Sequence, residues 1–199
     1  MITYDLIGQT PLVLLESFSD EHVQIYAKLE QFNPGGSIKD RLGKYLVETA
    51  LKEKRIVKGD TIVEATAGNT GIGLAMAANR YHLKCVIFAP EGFSEEKISI
   101  MKALGADVRR TPKVEGMTGA QQEALAYATR YGYLYMNQFE TKDNPGAYTQ
   151  TLAKQLTDEL SHIDYFVAGV GSGGTFTGVA QHLKTYDVKN YIVEPEGSV

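Results

Sequence analysis

What the chain has little of narrows it first. Its 199 residues include one cysteine and no tryptophan. A lone thiol cannot form an internal disulfide, and this cysteine usage together with the lack of a secretory signal pattern points to the cytoplasm. Cys85 sits in the apolar run "KCVIFAP", the setting of a packed core thiol and not of an activated nucleophile. His22, His82, His162 and His182 show no metal-ligand spacing, so no metal site is expected. There is no basic run either. Lys plus Arg is 20 against 24 for Asp plus Glu, a formal charge of −4, which gives no electrostatic footprint for a nucleic-acid partner. One uncharged run, Tyr165 to Leu183, is nineteen residues long. Its five glycines, serine, threonines, glutamine and histidine fit a strand, a loop and a helix, not a membrane span.

What is present is alternation. Short apolar, β-branched runs at 24–30, 61–66, 84–90, 107–111, 134–139, 165–170 and 191–196 read as strands. Helix-sized segments fall near 38–54, 70–82, 94–104, 119–131, 146–160 and 174–186. Ser94 before Glu95 and Glu96 reads as a helix cap, and Thr118 to Gln121 as a capping box. Such alternation predicts an α/β fold of βαβ units, with a mostly parallel twisted sheet flanked by helices. No repeat, low-complexity tract or linker interrupts it. The last strand stops abruptly in "YIVEPEGSV", which would leave a sheet edge bare; the expectation is a chain whose C-terminal part is missing.

Three strand-to-helix junctions are rich in small residues, and in open α/β sheets ligands bind at such junctions. In "NPGGSIKDR" (33–41) a glycine turn leads into a helix whose first turn carries Lys39. A cation is poorly placed there, because the helix dipole disfavours it. In "EATAGNTGIG" (64–73) glycines permit close backbone approach, while Thr66, Asn69 and Thr70 supply hydrogen-bonding side chains and the helix start supplies amides for a carboxylate or phosphate. In "VAGVGSGGTFTG" (167–178) the five residues Gly171, Ser172, Gly173, Gly174 and Thr175 are suited to a nest of N–H groups around a phosphate. Plain glycine turns account for any one junction.

The third loop also fits a dinucleotide site. Gly169, Gly171 and Gly174 match G-x-G-x-x-G, and Glu194 follows near the end of the next strand. An NAD-dependent oxidoreductase therefore stands as an alternative. It leaves Lys39 and the asparagine loop without a purpose. A phosphate-bearing aldehyde, pyridoxal 5'-phosphate, uses all three junctions: an amine to bond the aldehyde, a nest for the phosphate, and polar groups for the ring oxygen and a substrate carboxylate. The unfavourable helix position then lowers the pKa of the Lys39 amine and helps it act as a nucleophile.

"NPGGSIKDR", "TAGNTG", "NQFE…NP" and "GVGSGGTFTG", in this order, resemble the pyridoxal-phosphate enzymes of the cysteine synthase and cystathionine β-synthase family (fold type II, tryptophan synthase β-like). The resemblance runs from "IGQTPLV" (7–13) to "EPEGS" (194–198). It implies that Lys39 is the Schiff-base lysine and general base, and that Asn69 bonds the cofactor's ring hydroxyl. It makes Thr66, Ala67, Gly68, Thr70 and Gln138 contacts for the substrate carboxylate, and Gly171 to Thr175 the phosphate loop. It implies β-replacement on serine or O-acetylserine by sulfide or homocysteine, giving cysteine or cystathionine, in a homodimer. It also implies two lobes: a smaller mobile α/β domain, 40–144, carrying the asparagine loop, and a larger one from 1–39 plus 145–199 carrying the phosphate loop. Two departures stand out. Many members have serine where this chain has Ala67, so a hydroxyl near the substrate carboxylate is lost; the "TAGNTG" wording is similar to bacterial members that use O-acetylserine. The chain is also short for the family, leaving out the residue that faces the pyridine nitrogen, and a truncated, non-catalytic binding partner is a further alternative.

Overall fold

The computed structural model describes residues 2–197; Ser198, which ends the "EPEGS" motif, and Val199, on which the expectation of truncation turned, lie outside the described residues. An antiparallel hairpin opens the chain, with β1 (Leu12–Leu14) against β2 (Tyr26–Lys28). Helix α1 (Lys39–Lys52) follows, then β3 (Thr61–Ala65), α2 (Asn69–Arg80), β4 (Lys84–Pro90), α3 (Glu95–Ala103), β5 (Asp107–Thr111), α4 (Gly116–Tyr131) and β6 (Leu134–Tyr135). A helix in two pieces, α5 (Asp143–Tyr148) and α6 (Lys154–Glu159), is joined through a wider π-helical turn, Thr149–Ala153. Strand β7 (Tyr165–Gly169), helix α7 (Gly174–Leu183) and strand β8 (Lys189–Val193) complete it.

The expected α/β architecture is present. Strands β5-β4-β3-β6 form a four-stranded, all-parallel sheet, and β7 pairs with β8 in parallel. Every residue of β3 is buried, as a strand covered on both faces must be. Ala120, Ala124 and Ala128 put a stripe of small side chains from α4 against Val63, Ala65, Val86 and Phe88 on one face. The other face packs into the main core with Leu42, Leu46, Ile72 and Leu74. The uncharged run from Tyr165 resolves into strand, loop and helix, and among the described residues no helix is long and apolar enough to cross a membrane.

Several boundaries differ from expectation, each for a local reason. Helix α4 starts at Gly116, ahead of the supposed Thr118–Gln121 capping box, because Gly116 takes φ 57° and turns the chain directly out of a short 3-10 turn. Strand β6 has two residues instead of six: Asn137 adopts φ 45°, a conformation asparagine tolerates, and the chain leaves the sheet. Strand β8 ends at Val193, so Glu194 lies beyond it. Strand β2 lies within the strand expected at 24–30, whereas β1, three residues long and too short to show a period, and the hairpin pairing were not foreseen. Ser94 does cap α3, its side chain accepting the Lys97 N–H.

One contact sets the spacing of the site. A Cβ on Gly43 would collide with the backbone of Gly73, and one on Gly73 would lie 2.5 Å from the Lys39 carbonyl oxygen. Helices α1 and α2 therefore touch backbone to backbone near their N-termini. Gly43→Ala is expected to destabilise the chain by about 1–3 kcal/mol through overpacking, read as a lower urea midpoint with an unchanged slope; an unchanged midpoint would contradict this crossing.

Candidate active site

The stretch around Lys39 is fastened on both sides. Gly36, at φ 80°, turns the chain, and its N–H donates to the Asn33 carbonyl at 2.8 Å. Ser37 Oγ accepts the Lys39 N–H at 3.1 Å, so Ser37 caps the helix start although Ile38 occupies the formal cap position. The Asp40 carboxylate accepts the Gly35 N–H. Burial pushes that carboxyl up to about 6, with the Gly35 N–H opposing and Glu30 adding to the rise. Arg41 is 2% exposed and bonds both oxygens of Glu30 at 2.8 Å, the Gly8 carbonyl, Thr10 and Gln155. Burial pushes the Glu30 carboxyl up, but the bonds and charge of Arg41 outweigh it and leave it below the usual range. Asp40 and Arg41 thus fasten the chain on either side of the Lys39 turn.

Lys39 itself is half-buried and reaches a different loop. Its Nζ lies 3.3 Å from Ser172 Oγ and 5.8 Å from the centre of the Tyr148 ring. Burial lowers its pKa. A lowered value was expected from the helix dipole; desolvation of the ammonium gives the same direction.

The asparagine loop runs from β3 into α2. Gly68 is extended at the helix cap, with no side-chain cap bond, and its N–H donates to Thr66 Oγ1 at 3.1 Å. Asn69 opens α2. It lies one turn before Gly73 on the helix face that meets the first turn of α1. Thr70 Oγ1 donates to Gln138 Oε1 at 2.6 Å, which leaves the Gln138 amide NH₂ available as a donor. Ala67 is 6% exposed and packs into the core, so its position offers a backbone N–H and no side-chain donor.

The third glycine-rich loop joins β7 to α7. Gly173 takes φ 79° at the cap of α7, and no side chain caps that helix. Gly171 faces open space. The first amides of α7 are thus presented without a protein side-chain partner, as an anion site requires. Asn144 links this loop to the other: its Nδ2 donates to the Gln138 carbonyl at 2.7 Å and to Ser172 Oγ at 3.1 Å. Lys39, Ser172, Asn144, Gln138 and Thr70 form one connected set. Gly171, Gly174 and Thr175 flank it within the same loop. A half-buried amine whose burial favours the uncharged form, beside an uncapped glycine-bounded helix start, fits an aldehyde carrying a phosphate.

Three participants were given no role by sequence reasoning. Asn144 belongs to the quoted "NP" pair, yet its side chain shows its purpose only once α5 is placed. Tyr148 is fully buried beneath Lys39, and burial pushes its phenol up to about 12. Glu64 is 1% exposed and accepts the N–H groups of Ala65 at 2.8 Å and Gln138 at 3.1 Å. An acidic residue inside the run "TIVEAT" was the visible signal. Cys85 is buried beside it; burial, then the Glu64 charge, pushes its thiol up to about 12, so it is an inert core thiol.

A lysine amine beside a glycine-rich, uncapped helix start, linked to an asparagine-bearing junction, defines the class: an α/β scaffold whose strand-to-helix loops converge on one site. The chain belongs to the pyridoxal-phosphate dependent enzyme family, whose model matches residues 3–199. It is 50% identical over 200 residues to the O-acetylserine dependent cystathionine beta-synthase of Bacillus subtilis, covering 98% of this chain and 65% of that protein. A cysteine synthase of Helicobacter pylori is 48% identical over 204 residues, covering 98% and 66%. Among solved structures, the O-acetylserine dependent cystathionine beta-synthase from Helicobacter pylori superposes with a TM-score of 0.91 at 46% identity, covering 100% of this chain and 68% of that one. O-ureido-L-serine synthase gives 0.94 at 36% identity, with 99% and 64% covered. The chain thus spans about two thirds of the length of these relatives.

Burial pushes the Glu64 carboxyl up to about 7 from 4.5, against the pull of its two backbone N–H bonds. A raised carboxyl pKa favours the folded state fully below about pH 4.5, and that contribution is lost as pH rises through about 7. The difference corresponds to about 3 kcal/mol. Urea unfolding from pH 4.5 to 8 is expected to show this loss in the native chain and not in Glu64→Gln. Asp40 titrates in an overlapping window, so the comparison of the two proteins carries the result.

Proposed function

We propose that the chain carries the cofactor-binding and substrate-binding residues of a pyridoxal-phosphate β-replacement enzyme. In this reading it acts on O-acetylserine or serine, exchanges the β-substituent for sulfide or homocysteine, and gives cysteine or cystathionine. The observation that supports it most is the 3.3 Å approach of Lys39 Nζ to Ser172 Oγ, which joins an amine to an anion loop 133 residues away. The dinucleotide alternative finds no use for that amine, and the family is defined by another cofactor.

When bound, pyridoxal phosphate supplies an aldehyde for an amine and a ring that takes up the electron pair left by a departing α-proton. Gly171 to Thr175 would hold its phosphate through loop amides and the Ser172 and Thr175 hydroxyls, and Asn69 would bond its ring hydroxyl. Lys39 would be the covalent partner, its amine made easier to deprotonate by burial. The free Lys39 amine would take the α-proton of the substrate as general base. The substrate carboxylate is held by the Thr66–Thr70 loop, the start of α2, and the free NH₂ of Gln138. With alanine at 67, a backbone N–H serves where many family members bring a hydroxyl. The same reading makes 40–144 a smaller lobe that moves against 1–39 plus 145–199 on substrate binding, in a cytoplasmic homodimer.

The purified chain with pyridoxal phosphate is expected to be yellow. Borohydride should fix the cofactor's mass on the peptide containing Lys39, and Lys39→Ala should lose both colour and adduct. A wild-type chain that takes up no cofactor would refute the reading. Steady-state assays pairing serine or O-acetylserine with sulfide or homocysteine then identify the donor and the acceptor. Bound cofactor without turnover on any pair would instead favour the non-catalytic homologue.

A further inference from the structure

Asn144 is a buried side chain that bridges the substrate side of the site to the phosphate side. It is 2% exposed. Its orientation is fixed chemically: the Gln138 carbonyl oxygen can only accept, so the NH₂ end must face it at 2.7 Å. The same NH₂ then reaches Ser172 Oγ at 3.1 Å. Its Oδ1 is buried with no hydrogen-bond partner and abuts Gly174, where a Cβ would collide with it. An amide held with one end unpaired is being held for what its other end does.

A hydroxyl oxygen has two lone pairs and one hydrogen. At Ser172 both lone pairs are taken, one by Lys39 Nζ at 3.3 Å and one by Asn144 Nδ2 at 3.1 Å. The remaining direction, that of the O–H hydrogen, points away from both donors. When Lys39 turns to the aldehyde, Asn144 alone still orients the hydroxyl. We infer, on the cofactor reading above, that Asn144 is a positioning residue of the phosphate loop: it occupies the Ser172 oxygen so that the hydroxyl donates its hydrogen to the bound phosphate. Gly174 is glycine because the Asn144 amide needs that space.

The test compares pyridoxal 5'-phosphate with pyridoxal, which lacks the phosphate, in binding titrations of the full chain followed by the visible band. Asn144→Ala is expected to weaken pyridoxal phosphate about ten- to a hundredfold, the scale of a hydrogen bond to a charged group, and to change pyridoxal less than about twofold. Asn144→Leu, neutral, of similar volume and without a donor, is expected to act in the same direction, and it serves in the same comparisons if the alanine variant does not fold. In a Ser172→Ala background either change should lose its selective effect on pyridoxal phosphate. Equal weakening of both ligands, or a phosphate-selective effect that persists in the Ser172→Ala background, would overturn the inference and leave Asn144 as a tether for Gln138. A wild-type chain that does not prefer pyridoxal phosphate to pyridoxal would overturn the phosphate-loop reading itself, and this inference with it.

Discussion

A buried guanidinium governs the rest. Arg41 has five N–H donors and almost no access to water, so its surroundings must supply acceptors. They come from four residues in three separate places: Gly8 and Thr10 near the N-terminus, Glu30 after the hairpin, and Gln155 on α6. Gln155 also bonds the Gly8 carbonyl, and Asn33 Oδ1 accepts the Gly8 N–H at 2.7 Å. Breaking a buried pair of this kind by removing one partner costs about 3–5 kcal/mol, and here several segments would loosen at once. Because Arg41 follows Lys39 by two positions, anchoring one aims the other. The hairpin, too short to be a sheet of consequence, serves as a bracket for this ion pair.

The site shows a second economy. Its polar groups are satisfied mostly by one another: Thr70 by Gln138, Gln138 by Glu64 and Asn144, Ser172 by Asn144 and Lys39. Connected buried networks hold a single geometry when every member is paired. Among the described residues, buried side-chain atoms without a partner occur in or next to this region, at Asp40 Oδ1, Asn144 Oδ1 and the Tyr148 hydroxyl, and also away from it, at Arg110 Nε and Thr111 Oγ1 on β5 and Asn190 Oδ1 on β8.

Much of the fold was legible because its strands are either continuous apolar runs or bounded by glycine turns. "TIVEAT" and "KCVIFAP" gave strands almost to the residue. "LYMNQF" did not, because its alternation continues past Tyr135 while Asn137 turns the backbone away, and periodicity does not register one left-handed residue. At the site, Lys39, Ser172, Thr70 and Gln138 were readable as parts of ordered motifs, and the contacts Lys39–Ser172 and Thr70–Gln138 place these side chains together. Glu64, Asn144 and Tyr148 were not readable as participants. Their importance lies in what they face across the sheet and between helices, over separations that no local pattern encodes. The Lys39 amine was expected to be depressed by a helix end, whereas burial is the cause visible in the structure, and burial cannot be read from nine residues.

The Gly43–Gly73 contact has an electrostatic side. Each glycine is the fifth residue of its helix, so both N-termini lie about 6 Å along their axes from a common crossing. Each carries roughly half a positive charge from its aligned peptide dipoles. Two side chains at that crossing would have pushed the helices apart. Without them the Lys39 carbonyl in the first turn of α1 lies against Gly73, one turn into α2, so the backbone dipoles of the two helix starts act on each other with no side chain between them.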